Sequence, residues 1–141
     1  MQAAVGVAQL EKVDGFIDSR RRNFDLLFEA LSPFEDRLVL PTCLPQARPA
    51  WFGFPLTTKK GTSRSELVGW LEQHRIETRM LFGGNVLRQP GFRDIPRRVP
   101  APLTQTDVVM ENTFFIGVYP GLTDAMIDYV VETFRRYFAT H

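Results

Sequence analysis

The segment Ile76 to Phe92, IETRMLFGGNVLRQPGF, holds two cations at Arg79 and Arg88, adjacent glycines at Gly83 and Gly84, and an amide at Asn85. Guanidinium groups fork onto phosphate or carboxylate oxygens, and glycine lets backbone approach a ligand closely. The chemistry this inventory supports is capture of an anion. The same residues also allow a purely structural reading. In that reading Arg79 and Arg88 pair with Glu77, Asp94 or similar acids, and the two glycines only turn the chain.

No group elsewhere in the sequence is placed to transform a captured anion. There is no phosphate-binding Walker loop, no dinucleotide GxGxxG, no GxSxG and no HExxH. His74 falls at the end of a helical pattern, where the macrodipole favours a cation, and His141 is the last residue. Cys43 is the sole cysteine, so it can form no internal disulfide and cannot alone hold zinc or an iron–sulfur cluster. Lys59-Lys60-Gly61 reads as a solvated turn and Arg20-Arg21-Arg22 as a solvated helix face. Trp51, Phe52 and Phe54 read as core or sheet surface.

Composition narrows the classes further. An apolar fraction of 44% over 141 residues suits one globular domain. A formal charge of +1, with acids between most cations, gives no basic stripe for nucleic acid. No apolar run approaches the roughly 20 residues that span a bilayer. The single cysteine and the lack of an evident signal peptide suit a reducing cytoplasm. Of the 17 cations, 14 are arginine, which fits either base composition or bidentate anion contacts.

The elements that would position the segment follow from periodicity. Gln2 to Leu31 reads as helix with Leu10, Val13, Ile17, Phe24, Leu27 and Leu31 on one face and a bend or break near Gly15. Ser32-Pro33 ends it. Arg37–Leu40, Trp51–Leu56, Ile76–Met80 and Thr113–Val118 read as strands, with Pro55 pushing its strand toward an edge. Ser63 with Glu66 opens a helix through His74, Gln105 to Glu111 forms one or two turns, and Thr123 caps a final helix. That helix is expected to bury Met126, Ile127, Val130, Val131, Phe134 and Phe138. The expected fold is α/β, of the α+β type: a mostly antiparallel sheet packed against helices.

Two runs, RMLFGGNVLRQPGF and ENTFFIGVYPGLTD (Glu111 to Asp124), closely resemble the C-terminal part of CDP-4-keto-6-deoxyglucose 3-dehydrases, in the DegT-like family of sugar-nucleotide aminotransferases and dehydrases. The opening MQAAVGVAQLEKVDGFIDSRRRNF resembles the helix by which those enzymes leave their large domain. The resemblance implies residues 1–141 as the small C-terminal domain of the aspartate-aminotransferase fold, with 1–31 as interdomain helix, 32–141 as α/β sandwich, and the large cofactor domain absent. It implies a dimeric parent that uses pyridoxal or pyridoxamine phosphate, with a histidine in place of the cofactor lysine. The parent would act on a CDP-linked keto-deoxy sugar in dideoxyhexose and O-antigen synthesis. It also implies an iron–sulfur cluster and a partner reductase in that parent, and no cofactor or catalytic residue on this chain. Arg79, Asn85, Arg88, Gly83 and Gly84 then become expected substrate contacts. A sugar-nucleotide aminotransferase of the same family remains open as a reading, as does a free-standing anion-binding or dimerisation module, for which exposed apolar residues on the first helix would be the natural face.

Overall fold

A computed structural model describes residues 1–141. Two helices stand where a helix with a bend or break near Gly15 was expected: α1 (Gln2–Leu10) and α2 (Val13–Leu31). The break falls at Glu11-Lys12, and Gly15 lies inside α2. The buried stripe also begins later than the periodicity suggests. Leu10 is exposed, and only Asn23, Leu27 and Leu31 of α2 are fully buried. α1 buries nothing and leaves Val5 and Val7 in solvent.

Four strands follow in a sheet of order β1-β2-β4-β3: β1 (Leu38–Val39), β2 (Gly53–Thr58), β3 (Thr78–Met80) and β4 (Thr113–Gly117). Every pairing is antiparallel. Pro55 sits opposite Phe115 on β4, and β1 reaches only Thr57 and Thr58. The flank of β2 beside Pro55 therefore carries no neighbouring strand, which is where a residue without an N–H is tolerated.

Alternation along the strands sorts the side chains. Leu38, Phe54, Leu56, Phe114 and Ile116 point to the inner face and are buried. Against them pack α2, α3 (Arg64–Gln73) and α5 (Asp124–Thr140), which add Leu27, Leu31, Leu67, Leu71, Ile127, Val131, Phe134 and Tyr137 to one core. In α5, Tyr137 takes the buried position expected of Met126, which is 48% exposed. Ser63 Oγ accepts from the Glu66 N–H at 3.3 Å, and Thr123 Oγ1 accepts from the Met126 N–H at 3.3 Å, so both helices start at side-chain caps. The short α4 (Thr104–Asn112) lies against β2 and β4.

The arginine triplet is not a solvated face. Arg20 donates to the Trp51 carbonyl at 3.4 Å, Arg21 to those of Pro49 and Arg48 at 3.4 and 2.6 Å, and Arg22 pairs with Asp124 at the start of α5. Three side chains leaving one helix in different directions thus hold the proline-rich connector and α5 to α2. Trp51 stacks on Phe24, with ring centroids 5.6 Å apart.

Candidate functional site

The loop after β3 is mounted on α4. Asn85 is 3% exposed, and both ends of its amide are engaged: Nδ2 donates to Asp107 Oδ1 at 2.7 Å, and Oδ1 accepts from the Leu87 N–H at 3.1 Å. Arg88 grips the same carboxylate side-on, Nε to Oδ1 at 3.1 Å and Nη2 to Oδ2 at 2.7 Å. Bidentate charge-assisted bonds are the stronger class. They hold Asp107 at a pKa of about 2, through the Arg88 hydrogen bond first and the Asn85 bond second. The Arg88 guanidinium is correspondingly raised. Gly84, at φ +59, passes directly over Met110, and Gln89 Nε2 donates to the Gly83 carbonyl at 2.6 Å.

Asp107 was missed by sequence reasoning. It lies 19 residues from Arg88 on an unremarkable helical turn, and Glu77 or Asp94 were the nearer acids. Of the expected contacts, Asn85 is turned inward, Gly84 serves a close approach to α4, and Arg88 presents only what its Asp107 bonds leave free. Gly83 has open space around it.

Arg79 lies elsewhere, opposite Phe115 on the outer sheet face. It pairs with Glu77 and remains exposed. It borders a cleft of about 840 Å³ beside the N-terminal end of α5, which Arg75, Phe115, Tyr119, Met126 and Tyr129 also line. Of the five expected residues, Arg79 lines this cleft, Asn85 and Arg88 line a smaller one beside Asp107 of about 350 Å³, and Gly83 and Gly84 line neither. The larger has the dimensions of a small-molecule site. It contains neither lysine nor histidine, so it offers no amine to hold pyridoxal as a Schiff base and no imidazole to act as a base. Cys43 is exposed, and no cluster of metal-ligating side chains occurs. No helix is long and apolar enough to cross a membrane.

Two non-glycine residues are left-handed: Arg75, φ 60, and Phe82, φ 50. They bracket β3. Such conformations cost on the order of 1–3 kcal/mol and persist where the surroundings impose them.

The profile of the DegT/DnrJ/EryC1/StrS aminotransferase family matches residues 1–135. The chain belongs to that family. Among curated DegT-family relatives, it is 47% identical to the lipopolysaccharide biosynthesis protein RfbH of Salmonella typhimurium, over 98% of this chain and 32% of that protein. It is 45% identical to the dTDP-4-dehydro-2,6-dideoxy-D-glucose 3-dehydratase of Saccharopolyspora spinosa, over 99% of this chain and 30% of that one. The chain thus spans about a third of the length of these relatives. Among solved structures, it superposes on the E. coli GDP-4-keto-6-deoxy-D-mannose-3-dehydratase with bound hydrated PLP with a TM-score of 0.83 at 26% identity, covering 92% of this chain and 33% of that one. The DegT fold expected from the sequence is present, with its antiparallel sheet and inner-face helices.

Proposed function

We propose that this DegT-family chain is the substrate-closing C-terminal domain of a sugar-nucleotide 3-dehydratase. In this reading the longer protein acts on CDP-4-keto-6-deoxyglucose in dideoxyhexose and O-antigen synthesis, in the cytoplasm and as a homodimer. Pyridoxamine phosphate held outside these 141 residues would supply the activating amine, and an iron–sulfur cluster and a partner reductase would supply electrons. This chain's part is to bind and orient. Arg79 faces the anionic ligand from the large cleft. Gly83 and the free edge of Arg88 face it from the loop. Asn85 and Gly84 hold that loop in shape from behind.

The observation that carries the reading is the mounting of the loop by Asp107. A rigid loop with an exposed glycine, beside a cleft with cations on its rim, suits a wall that closes over a substrate. The 47% identity to a lipopolysaccharide biosynthesis protein supports the O-antigen setting. A second reading, a dTDP-linked substrate, is favoured by the 45% identity to the Saccharopolyspora enzyme.

The full-length protein, reconstituted with pyridoxamine phosphate, should be offered the CDP-, dTDP- and GDP-linked 4-keto-6-deoxy sugars. Loss of water would be followed by mass spectrometry. Preferential dehydration of the CDP sugar is expected, with a KM raised about tenfold or more by Arg79→Ala. Preference for the dTDP sugar would install the second reading. Failure to dehydrate any of the three would overturn both.

A further inference from the structure

Asn23 occupies a position where packing alone would place a leucine. The fully buried residues of α2 are Asn23, Leu27 and Leu31. They are spaced by four, so the amide stands in line with the two leucines on the face turned to the core. Asparagine is a poorer helix former than leucine. A buried amide also costs stability unless its polar atoms are bonded. The bonds that Asn23 makes show what the position does.

Nδ2 donates to the Tyr119 carbonyl at 2.9 Å, and Oδ1 accepts from Arg22 Nη1 at 3.1 Å. A carbonyl only accepts and a guanidinium only donates, so this is the one orientation of the amide that serves both. The Tyr119 carbonyl also takes the Leu122 N–H at 3.2 Å, which closes a turn with Pro120 and Gly121 at its centre. Arg22 Nη2 pairs with Asp124, the first residue of α5. Two adjacent residues of α2 thus hold both ends of the segment Tyr119 to Asp124. Gly121 lets the Tyr119 ring lie against the turn, since a Cβ there would stand 3.2 Å from the ring. Tyr119, Leu122 and Thr123 line the large cleft, and so does Leu27, one helical turn along α2 from Asn23. Asn23 itself does not line it.

We propose that Asn23 is a positioning residue for the large cleft: from α2 it holds the Tyr119 turn, while Arg22 holds the start of α5, so the Tyr119 side of the cleft is placed by α2. The assignment rests on the sugar-nucleotide reading above, in which that cleft faces the ligand. In the same reading residues 1–31 lead in from the cofactor domain, and a shift of that helix passes to the cleft through two side chains. A purely structural amide would act on stability alone. A positioning amide acts on how firmly the ligand is held in a chain that remains folded.

The test uses the full-length protein with pyridoxamine phosphate and, of the CDP-, dTDP- and GDP-linked 4-keto-6-deoxy sugars, the one it dehydrates best. A second measurement places 3-fluorotyrosine at position 119 and records its fluorine resonance without substrate. Asn23→Leu removes both amide bonds but orphans no buried acceptor, because the Tyr119 carbonyl keeps the Leu122 N–H. Its melting temperature should stay near native. Its KM should rise by about fivefold, the scale of one net hydrogen bond, with kcat changed less, and the fluorine resonance should shift or broaden. Asn23→Asp keeps the size and the Arg22 bond yet loses the amide donor, and should raise KM at least as much. Arg22→Leu alters an exposed side chain, so it decides the matter if the core variants do not fold, and it should move KM and the resonance in the same direction. An unchanged KM, a lowered melting temperature with KM intact, or a fluorine resonance identical to native would each overturn the positioning role. If the native protein dehydrates none of the three sugars, the broader function fails and the resonance alone decides: a shift in Asn23→Leu supports the coupling, and no shift overturns it.

Discussion

Gly84 and Met110 are in such close approach that a Cβ on Gly84 would stand 2.4 Å from Met110 Cγ and 3.1 Å from Met110 Cα. The second distance involves backbone, so rotating the methionine side chain does not clear it. The loop and α4 meet here, and the left-handed φ of Gly84 reinforces the restriction.

Gly84→Ala should therefore destabilise the chain by about 1–3 kcal/mol, combining overpacking with an unfavourable φ. Urea denaturation measures it. A Met110→Ala background should restore only part of the loss, because the α4 backbone and the φ remain. Full restoration would mean that the side chain alone set the approach.

The Asp107 clamp should be acid-sensitive over a defined interval. The carboxyl has a lowered folded-state value of about 2 against an ordinary 3.8, so its contribution is complete above the ordinary value. That contribution fades as pH falls from about 4 toward 2. Protection of the amides of residues 83–89, taken relative to intrinsic exchange at each pH, should fall over that window in the native chain and show no such step in Asp107→Asn. Constant protection in the native chain across the window would contradict the clamp.

Asn85→Ala removes a buried donor and acceptor together, leaving the Leu87 N–H without its partner and Asp107 with one bond fewer. A loss of about 1–3 kcal/mol is expected by thermal denaturation. An effect near zero would show that the loop's order comes from Arg88 alone.

Phe134 is fully buried between helices and sheet. Phe134→Ala should cost about 3–5 kcal/mol, a large part of a small domain's stability. Phe138→Ala, at a half-buried position, should cost less. Equal losses would indicate that α5 packs with a different rotation.

Much of the fold was legible because it depends on local pattern. Thr123 and Ser63 marked helix starts through their hydroxyls, Pro33 marked an end, and TFFIGV stood out as a strongly apolar run of strand length. The N-terminal helix was misjudged because an apolar stripe does not reveal whether anything packs on it, and α1 meets no partner here. The site was legible in part. Its loop could be picked out by arginine and glycine, but the acid that organises it lies 19 residues away. Arg20 and Arg21 misled for a related reason: their partners are backbone carbonyls, which leave no mark in the side-chain sequence, while the partner of Arg22, Asp124, lies far along the chain.

The brackets around β3 bear also on how the domain survives in a crowded solution. An edge strand offers unpaired backbone groups to any passing chain. Here the exposed edge runs for three residues before Arg75 on one side and Phe82 on the other turn it out of extended geometry. Too little of it is left for another strand to register against, so the two left-handed residues also blunt the sheet against aggregation.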